Sequence, residues 1–561
     1  MIYILTTIIA GVSLAFSGEV HQTFYIPKLM VFLAGSFFGI TALLQRDTLV
    51  VPTVRVIAFL AVAIAGTFLS AVLSPAPRHA LLQSMFIASG FISYWLMLNL
   101  EENENIKVLK VVVGAALFQV AVIALQCFNN VSFLSGPLLM EGWRLTGTVG
   151  NPEFLSTLFA AAFFFALHLR EKAEIKVSSF VFYILTGLLI LGTIATGCKG
   201  TLFFMLMYGL WRWKPNFKVL GLSAFLLVLF AGLYSPGSII GRIFLWIVGV
   251  RMFVSHPLFG VGLNQFENNY LETVYGLFRS WPGLSAYFGG YTSVVRDAHN
   301  IFIQQAAELG LVGLALSIIF ASFLSGCVKS HKNYLGAAAL LLLYKSFYTV
   351  MLNSPTGLLL VAILAGVLTS ANECRRVKVR YVWVPIVVPV LAGMLFFGLN
   401  LCLADYYYQK GLTYLLAGDG SGAATEFEAS RKTDPENSEA CLGLAYQYFL
   451  NGRKREMSSN LQNAIRLKKN MDTLKISAHM YFYSSNYTEA KKLYEYLHFV
   501  FPEHLTSMGK LAIIAAVNND PLASENLAKE ILNTSPRRLN NSDASNVRIA
   551  REILNESSRR F

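Results

Sequence analysis

The stretch "SVVRDAHNIFIQQAAELGLVGLAL", residues 293–316, gathers an Arg, an Asp, a His and an Asn and then turns into membrane-grade hydrocarbon. An imidazole there can take or give a proton near neutral pH. Four cations stand in comparable places beside apolar runs: Lys28 in "FYIPKLMVF", Arg144 in "GWRLTGTVGNPEF", Lys199 in "IATGCKGTL" and Arg242 in "IIGRIFLW". Charge of one sign in a low-dielectric site needs a counter-ion, since each uncompensated charge costs several kcal/mol. Arg grips phosphate oxygens through its planar fork and Lys offers a compact charge, so a diphosphate is the natural ligand. A lipid diphosphate carrying a sugar has an anionic head for these residues and a hydrocarbon tail for the bilayer. Transfer from it requires charge neutralisation on the leaving diphosphate and removal of a proton from an acceptor hydroxyl, a task that suits His299.

Around that imidazole, Asp297 or another carboxylate is placed to orient the ring, and Asp297 or Asn300 can cap the following helix. Glu308 reads as a buried hydrogen-bonding support. No carboxylate pair accompanies the cations, so no metal site and no cofactor is expected. Each residue also has a plainer reading: Lys28 as a snorkelling lysine, Arg144, Arg242 and Lys199 as interfacial anchors, His299 as a cap. His21, His79 and His256 are read as structural.

The elements that must position these groups follow from composition. The chain has 561 residues, 55% hydrophobic and 13% aromatic, with a mean hydropathy of +0.53; one soluble core is excluded and a polytopic membrane protein is indicated. A crossing helix needs roughly 20 apolar residues, and about thirteen such runs begin near Ile2, Tyr25, Val54, Ala80, Lys107, Pro152, Ser178, Gly200, Phe217, Leu309, Asn333, Thr356 and Val382. The run after Gly200 ends in Trp211, Arg212, Trp213 and Lys214, an interface anchor. The first run lacks a basic leader and a cleavage site and reads as a retained span. Six cysteines without paired spacing suggest neither disulfides nor zinc.

The formal charge of +13 is a topology signal rather than a nucleic-acid footprint. Basic residues fill alternate short loops: Arg46 and Arg55; Lys107 and Lys110; Arg170, Lys172 and Lys176; Arg212, Lys214 and Lys218; Lys329 and Lys332; Arg375, Arg376, Lys378 and Arg380. By the positive-inside rule these loops are cytoplasmic. Anionic membrane lipids are their counter-charge. The N-terminus is then inside, the tail outside, and all four cations and His299 share the outer face.

Residues 1–404 thus read as the membrane domain, with an outer loop at about 235–298. Within that loop "GRIFLWIVGVRMF" reads as barely three turns, too short to span, and as an interfacial helix. From Asp405 to Phe561 charges become frequent and the text repeats. Gly411, Tyr414, Ala423, Phe427 and Pro435 fit the small and aromatic positions of a tetratricopeptide repeat, and shifts of about 34 residues reach Tyr448, Leu461 and Ala464, then Tyr481, Ala490, Tyr494 and Pro502, with a weaker copy ending at Pro536. Three or four such pairs make an α-solenoid, a surface that suits a protein partner or a brace for the membrane domain.

"RLTGTVGNPEF", "TGCKGTL", "GRIFLWIVGVRMFVSHPLFGVGLNQF" and "AHNIFIQQAAELGLVG" resemble, in order, motifs of the O-antigen ligase and polymerase family, which includes bacterial O-linked oligosaccharyltransferases. The resemblance covers most of residues 20–370. It implies an all-α, metal-independent membrane glycosyltransferase of the C type in the bacterial inner membrane, using an undecaprenyl-diphosphate-linked glycan at the periplasmic face. By motif it implies His299 as the base that activates the acceptor, with Arg242 and Arg144 on the diphosphate or donor glycan. Where the family usually has Ser-Arg-Gly, this chain has Cys198, Lys199 and Gly200, keeping the charge without the fork. The acceptor is lipid A core or a protein hydroxyl in the ligase reading, and a lipid-linked repeat unit in the polymerase reading. The alternative classes are a transporter or flippase of lipid-linked glycans, and a scaffold that recruits partners through the repeats.

Overall fold

Long apolar runs fold as helices because hydrocarbon offers no partner for a free peptide group. The computed structural model describes residues 1–17, 22, 25–74, 76–127, 145–213, 236–291, 295–330, 333–347, 349–369, 374–378, 384–534 and 541–559. Among these, eight helices are long and apolar enough to cross a membrane: Tyr25–Leu44, Val56–Leu73, Pro77–Leu98, Glu102–Cys127, Pro152–Glu171, Gly237–Ser255, Ile301–Gly326 and Val387–Leu416. Shorter apolar helices at Ile2–Leu14, Ser179–Ala195, Tyr334–Ser346 and Pro355–Leu368 accompany them. The run expected near Phe217 lies outside the described residues.

The chain forms two compact units. The first comprises Met1–Tyr234, His256–Asn264 and Ala298–Tyr406; the second comprises Ser235–Ser255, Gln265–Asp297 and Tyr407–Phe561. In the first, Phe32, Phe86, Phe159, Phe164 and Leu341 are fully buried between helices, while Phe180, Tyr183, Leu191 and Phe396 are exposed. Large apolar side chains turned outward are what a lipid-facing surface requires. A feature absent from the sequence reading is a ribbon in which Thr48–Pro52 pairs antiparallel with Cys374–Lys378, setting Val50 opposite Arg376. Asn99 holds it by accepting from the Val50 N–H at 2.8 Å and donating to the Val50 carbonyl. Two basic loops far apart in the chain are thereby joined.

The 301–330 helix is broken at Gly310, whose φ is +62°. Main chain from the 256–264 segment fills the break: Leu311 N–H donates to the Pro257 carbonyl at 2.8 Å, Val261 N–H to that of Ala307 at 2.9 Å, and Gly262 N–H to that of Glu308 at 3.1 Å. The approach is so close that a Cβ at Gly260 would collide with the Glu308 carbonyl, and one at Gly310 with Pro257 and Leu258.

In the second unit, helix starts at Ser438, Met471 and Leu505 alternate with starts at Gly420, Lys454, Tyr487 and Pro521, a period of 33 or 34 residues. Equivalent positions Phe427, Leu461, Tyr494 and Ala528 are buried, as are Ala423, Met457, Ala490 and Ser524. Each turn within a pair passes through a left-handed residue: Gly418, Gly452, Ser485 and Asn519. The repeating helix pairs expected from the spacing are therefore present, closed by the Asn541–Arg559 helix. The Pro236–Ser255 helix corrects the expected length of barely three turns, too short to span. It starts before Arg242 and has the length and composition of a span, because Pro236 at its start and Ile239 and Ile240 extend the apolar run.

Gly260 and Gly452 separate sterics from backbone strain, since both have φ near +68° (+69° and +67°) but only Gly452 faces open space. Gly452→Ala should cost about 1–2 kcal/mol. Gly260→Ala should lower the thermal midpoint further, read by unfolding in detergent, because rigid main chain stands where its methyl must go.

Candidate functional site

His299 sits at the start of the 301–330 helix with φ +48° and an exposed side chain. Two sets of hydrogen bonds hold its turn. Asn300 is the cap, its Oδ1 accepting from Phe302 N–H at 2.9 Å and Ile303 N–H at 3.2 Å. The Asn300 amide also donates to the Phe347 carbonyl at 3.1 Å. Ahead of the imidazole, Ala298 N–H donates to Gln304 Oε1 at 2.7 Å, and the Gln304 amide donates to Glu308 Oε1 at 2.6 Å. Glu308 is buried, one residue before the Leu309–Gly310 break. A left-handed φ at a non-glycine residue carries a cost, which this bracing maintains. Asp297 is half-buried and Arg296 exposed.

A second cluster organises the "LTGTVGNPEF" segment. Lys28 is buried, 2% exposed, and its ammonium donates to the Ala15 carbonyl at 2.5 Å and the Thr148 carbonyl at 2.6 Å. Gln119 clasps Thr148 from both sides: its Oε1 accepts the Thr148 N–H at 3.1 Å and its Nε2 donates to Thr148 Oγ1 at 2.6 Å. Thr148 Oγ1 in turn donates to the Ser13 carbonyl at 2.8 Å, and Gln126 Oε1 accepts the Gly147 N–H. Lys28 therefore pins three stretches of chain together. Arg144 itself lies outside the described residues.

A third cluster went unnoticed in the sequence. Lys345, fully buried, meets Glu153 at 2.5 Å and lies 3.5 Å from Ser156 Oγ. Ser156 Oγ and Thr201 Oγ1 are 2.9 Å apart, and Tyr344 OH donates to the Gly200 carbonyl at 3.4 Å. The 145–154 and 196–204 segments are thus tied to one helix. Lys199, on the latter, is exposed at the start of the Lys199–Trp213 helix. Phe347, two residues after Lys345, receives Asn300. A continuous set of contacts therefore links the segments bearing Lys28, Lys199 and His299 within the first unit. The signal that could have found Lys345 is a lone charge inside "LLLLYKSFY"; a cation in an apolar run calls for a partner.

In the second unit, Arg242 is half-buried on the 236–255 helix. Two residues on, Phe244 is fully buried, its ring 5.7 Å from Phe278 and 5.0 Å from Phe288.

These helices and clusters define a multi-pass membrane protein with a braced, exposed imidazole. Residues 145–318 match the family described as O-antigen ligase, and the match encompasses the segments bearing Lys199, Arg242 and His299. The matched region, about a third of the chain, supports an O-antigen ligase/polymerase-like membrane function in general terms. No curated protein matches the chain. Among solved structures, a chain of the "Crystal structure of APC/C hetero-tetramer Cut9-Hcn1" is similar over 85% of this chain and 76% of its own, at 12% identity and a TM-score of 0.23.

Removing one partner of the Lys345–Glu153 pair leaves a buried charge uncompensated. Glu153→Gln, which strands the fully buried Lys345, should destabilise the protein by about 3–5 kcal/mol, Lys345→Met, which leaves the partly exposed Glu153, should cost less, and Lys345→Met combined with Glu153→Leu should recover much of the loss. Chemical denaturation in detergent reads both.

Proposed function

We propose that the protein transfers a glycan from an undecaprenyl-diphosphate donor to an acceptor hydroxyl at the periplasmic face of the bacterial inner membrane, without a metal ion. The observation that carries this reading is the exposed imidazole of His299, held in a left-handed turn by Asn300 on one side and the Gln304–Glu308 pair on the other. In the proposed reaction His299 takes the proton of the acceptor hydroxyl as its oxygen bonds to the anomeric carbon. The bond from that carbon to the diphosphate breaks, and its electron pair leaves with the undecaprenyl diphosphate. Lys199, Arg144 and Arg242 neutralise the charge that builds there. Asp297 and Glu308 serve the turn that presents the base, and Lys28 supports the segment after Arg144 in addition to any electrostatic pull on the diphosphate.

The acceptor in this reading is lipid A core or a protein hydroxyl, and the repeats, proposed for the periplasm from the charge pattern of the loops, are the surface for a protein acceptor or partner. Support for that placement comes from Asp405, whose Oδ2 accepts the Gln22 N–H at 3.0 Å. Asp405, inside the Val387–Leu416 helix, thus lies beside the entry to the Lys28 helix within the first unit.

The test is reconstitution in vesicles with an undecaprenyl-diphosphate-linked oligosaccharide and, separately, lipid A core and candidate protein acceptors. His299→Ala should reduce transfer by about 10²–10⁴-fold and leave donor binding intact. His299→Gly should lose transfer equally while matching or exceeding the parent in thermal stability, since it also relieves the left-handed φ. Lys199→Ala should weaken donor use, Lys199→Arg should preserve it, and chelators should leave the rate unchanged. Full transfer by His299→Ala membranes refutes the assignment of the base.

A further inference from the structure

The second unit joins two parts of the chain that the sequence separates widely. One is the loop segment 265–291, which carries the Phe266–Ser280 and Pro282–Phe288 helices; the other is the run of helix pairs after Tyr407. At one end of the loop helix, the Asn470 amide donates to Glu267 Oε1 at 2.6 Å, and Lys469 meets Glu272 at 2.5 Å. One turn on, Tyr275 stacks on Tyr496 with centroids 5.2 Å apart and planes inclined by 13°, and it also meets Phe499 at 4.8 Å. Lys469 lies over the other ring of that pair, 4.8 Å from the Tyr496 centroid, so ionic and aromatic contacts share one residue. Further along, Gly289 and Gly290 approach Pro502 and Glu503 so closely that added Cβ atoms would crowd both. The 236–255 helix rests on this same loop segment through Phe244, packed between Phe278 and Phe288.

We propose that the repeats are an intramolecular clamp for the loop and hence for Arg242. Glu272 and Tyr275 of the loop, with Lys469 and Tyr496 of the repeats, are its positioning residues. The proposal rests on the reading of Arg242 as a donor diphosphate contact. Its physical basis is that a guanidinium fork is specific only when its carrier is held still. The loop helix turns Glu267 and Glu272 toward the repeats and packs Phe278 on Phe244, so the repeats and the Arg242 helix hold it between them within this unit. Ordering the loop in advance removes that entropy cost from donor binding. The clamp therefore acts on donor affinity more than on the rate of transfer at saturating donor.

The experiment measures affinity for undecaprenyl diphosphate in nanodiscs, KM and kcat for the linked oligosaccharide, and amide exchange of residues 236–255, all on the full chain. Glu272→Lys and Lys469→Glu should each raise the dissociation constant and KM about threefold or more, by like-charge contact with Lys469 or Glu272, with kcat nearly unchanged and faster exchange in 236–255. Combining the two substitutions should restore most of the affinity and protection, which a merely damaged fold would not do. Tyr275→Phe should behave as the parent and Tyr275→Ala as the single charge reversals. Unchanged affinity in the charge reversals alongside a clear loss in Arg242→Ala overturns the clamp and leaves the diphosphate reading standing. If Arg242→Ala itself leaves undecaprenyl-diphosphate affinity unchanged, the diphosphate reading fails. The clamp is then judged by exchange alone, sustained by faster exchange in the single reversals with recovery in the double, and overturned by no change.

Discussion

A helix broken inside an apolar unit must satisfy the peptide groups that the break releases. Here another stretch of main chain does so. The 257–262 segment exchanges three hydrogen bonds with the 301–330 helix around Gly310, and Leu263 N–H continues the contact to Ser70 Oγ at 3.0 Å. Because backbone meets backbone, neither surface tolerates a side chain at the point of closest approach, which accounts for a glycine at 260 facing another at 310. The register of the broken helix is then fixed by main-chain geometry. Everything N-terminal to the break inherits that register: Glu308, then Gln304 one turn earlier, then Ala298 and the imidazole beside it. His299 is positioned by a ladder that ends on a break, and the break is held by the 257–262 segment, which precedes it in the chain.

The buried lysines show why cations in such a chain divide into two kinds. Lys28 and Lys345 are almost fully buried, and an ammonium out of water is tolerable only where carbonyls or a carboxylate surround it. Lys28 finds the carbonyls that end one helix and precede another, and Lys345 finds Glu153. Each thereby turns a desolvation cost into a specific cross-link among segments that would otherwise be joined only by non-directional apolar contact. Lys199 is different, being exposed at a helix start where an anion would meet both its charge and the helix dipole. In the proposed function, exposure rather than residue type separates a pin from a charge assigned to the diphosphate.

This distinction sets how much of the site was legible in the sequence. The repeats were, because Phe427, Leu461 and Tyr494 recur at a fixed period and each helix pair can bury them only against the next. Most of the eight long apolar helices among the described residues were, because hydrocarbon imposes a length, whereas Gly237–Ser255 was not and the expected count of about thirteen is not shown. A cap at Asp297 or Asn300 and Glu308 as a buried support followed from local helix chemistry, and of the two cap residues the structure uses Asn300. By contrast, Lys345 and Glu153 are 192 positions apart, and nothing local to either announces the other. The clasp of Gln119 around Thr148 spans 29 positions and joins a mid-helix amide to a loop threonine, a contact with no periodic signature. The ribbon between residues 48–52 and 374–378 was hidden for a similar reason: "TLVVP" reads as the approach to a span until its partner strand is placed beside it. The helix around Arg242 is longer than three turns because Arg242 and Arg251 both lie inside it rather than at its ends.

Local patterns therefore reveal elements and their ends, and long-range polar contacts decide which ends meet. In a membrane protein that division is sharper than in a soluble one, since apolar helices gain little from one another that lipid does not also offer. The specificity of assembly must then come from the few polar groups that have nowhere else to go. Lys28, Gln119, Glu153, Lys345, Asn300 and Glu308 are such groups, and every one of them holds a segment on which an exposed His or Lys, or the start of a matched family motif, is carried. Precision at the imidazole is thus a consequence of burying polarity elsewhere: the exposed groups are constrained through neighbours whose own hydrogen bonds water cannot replace.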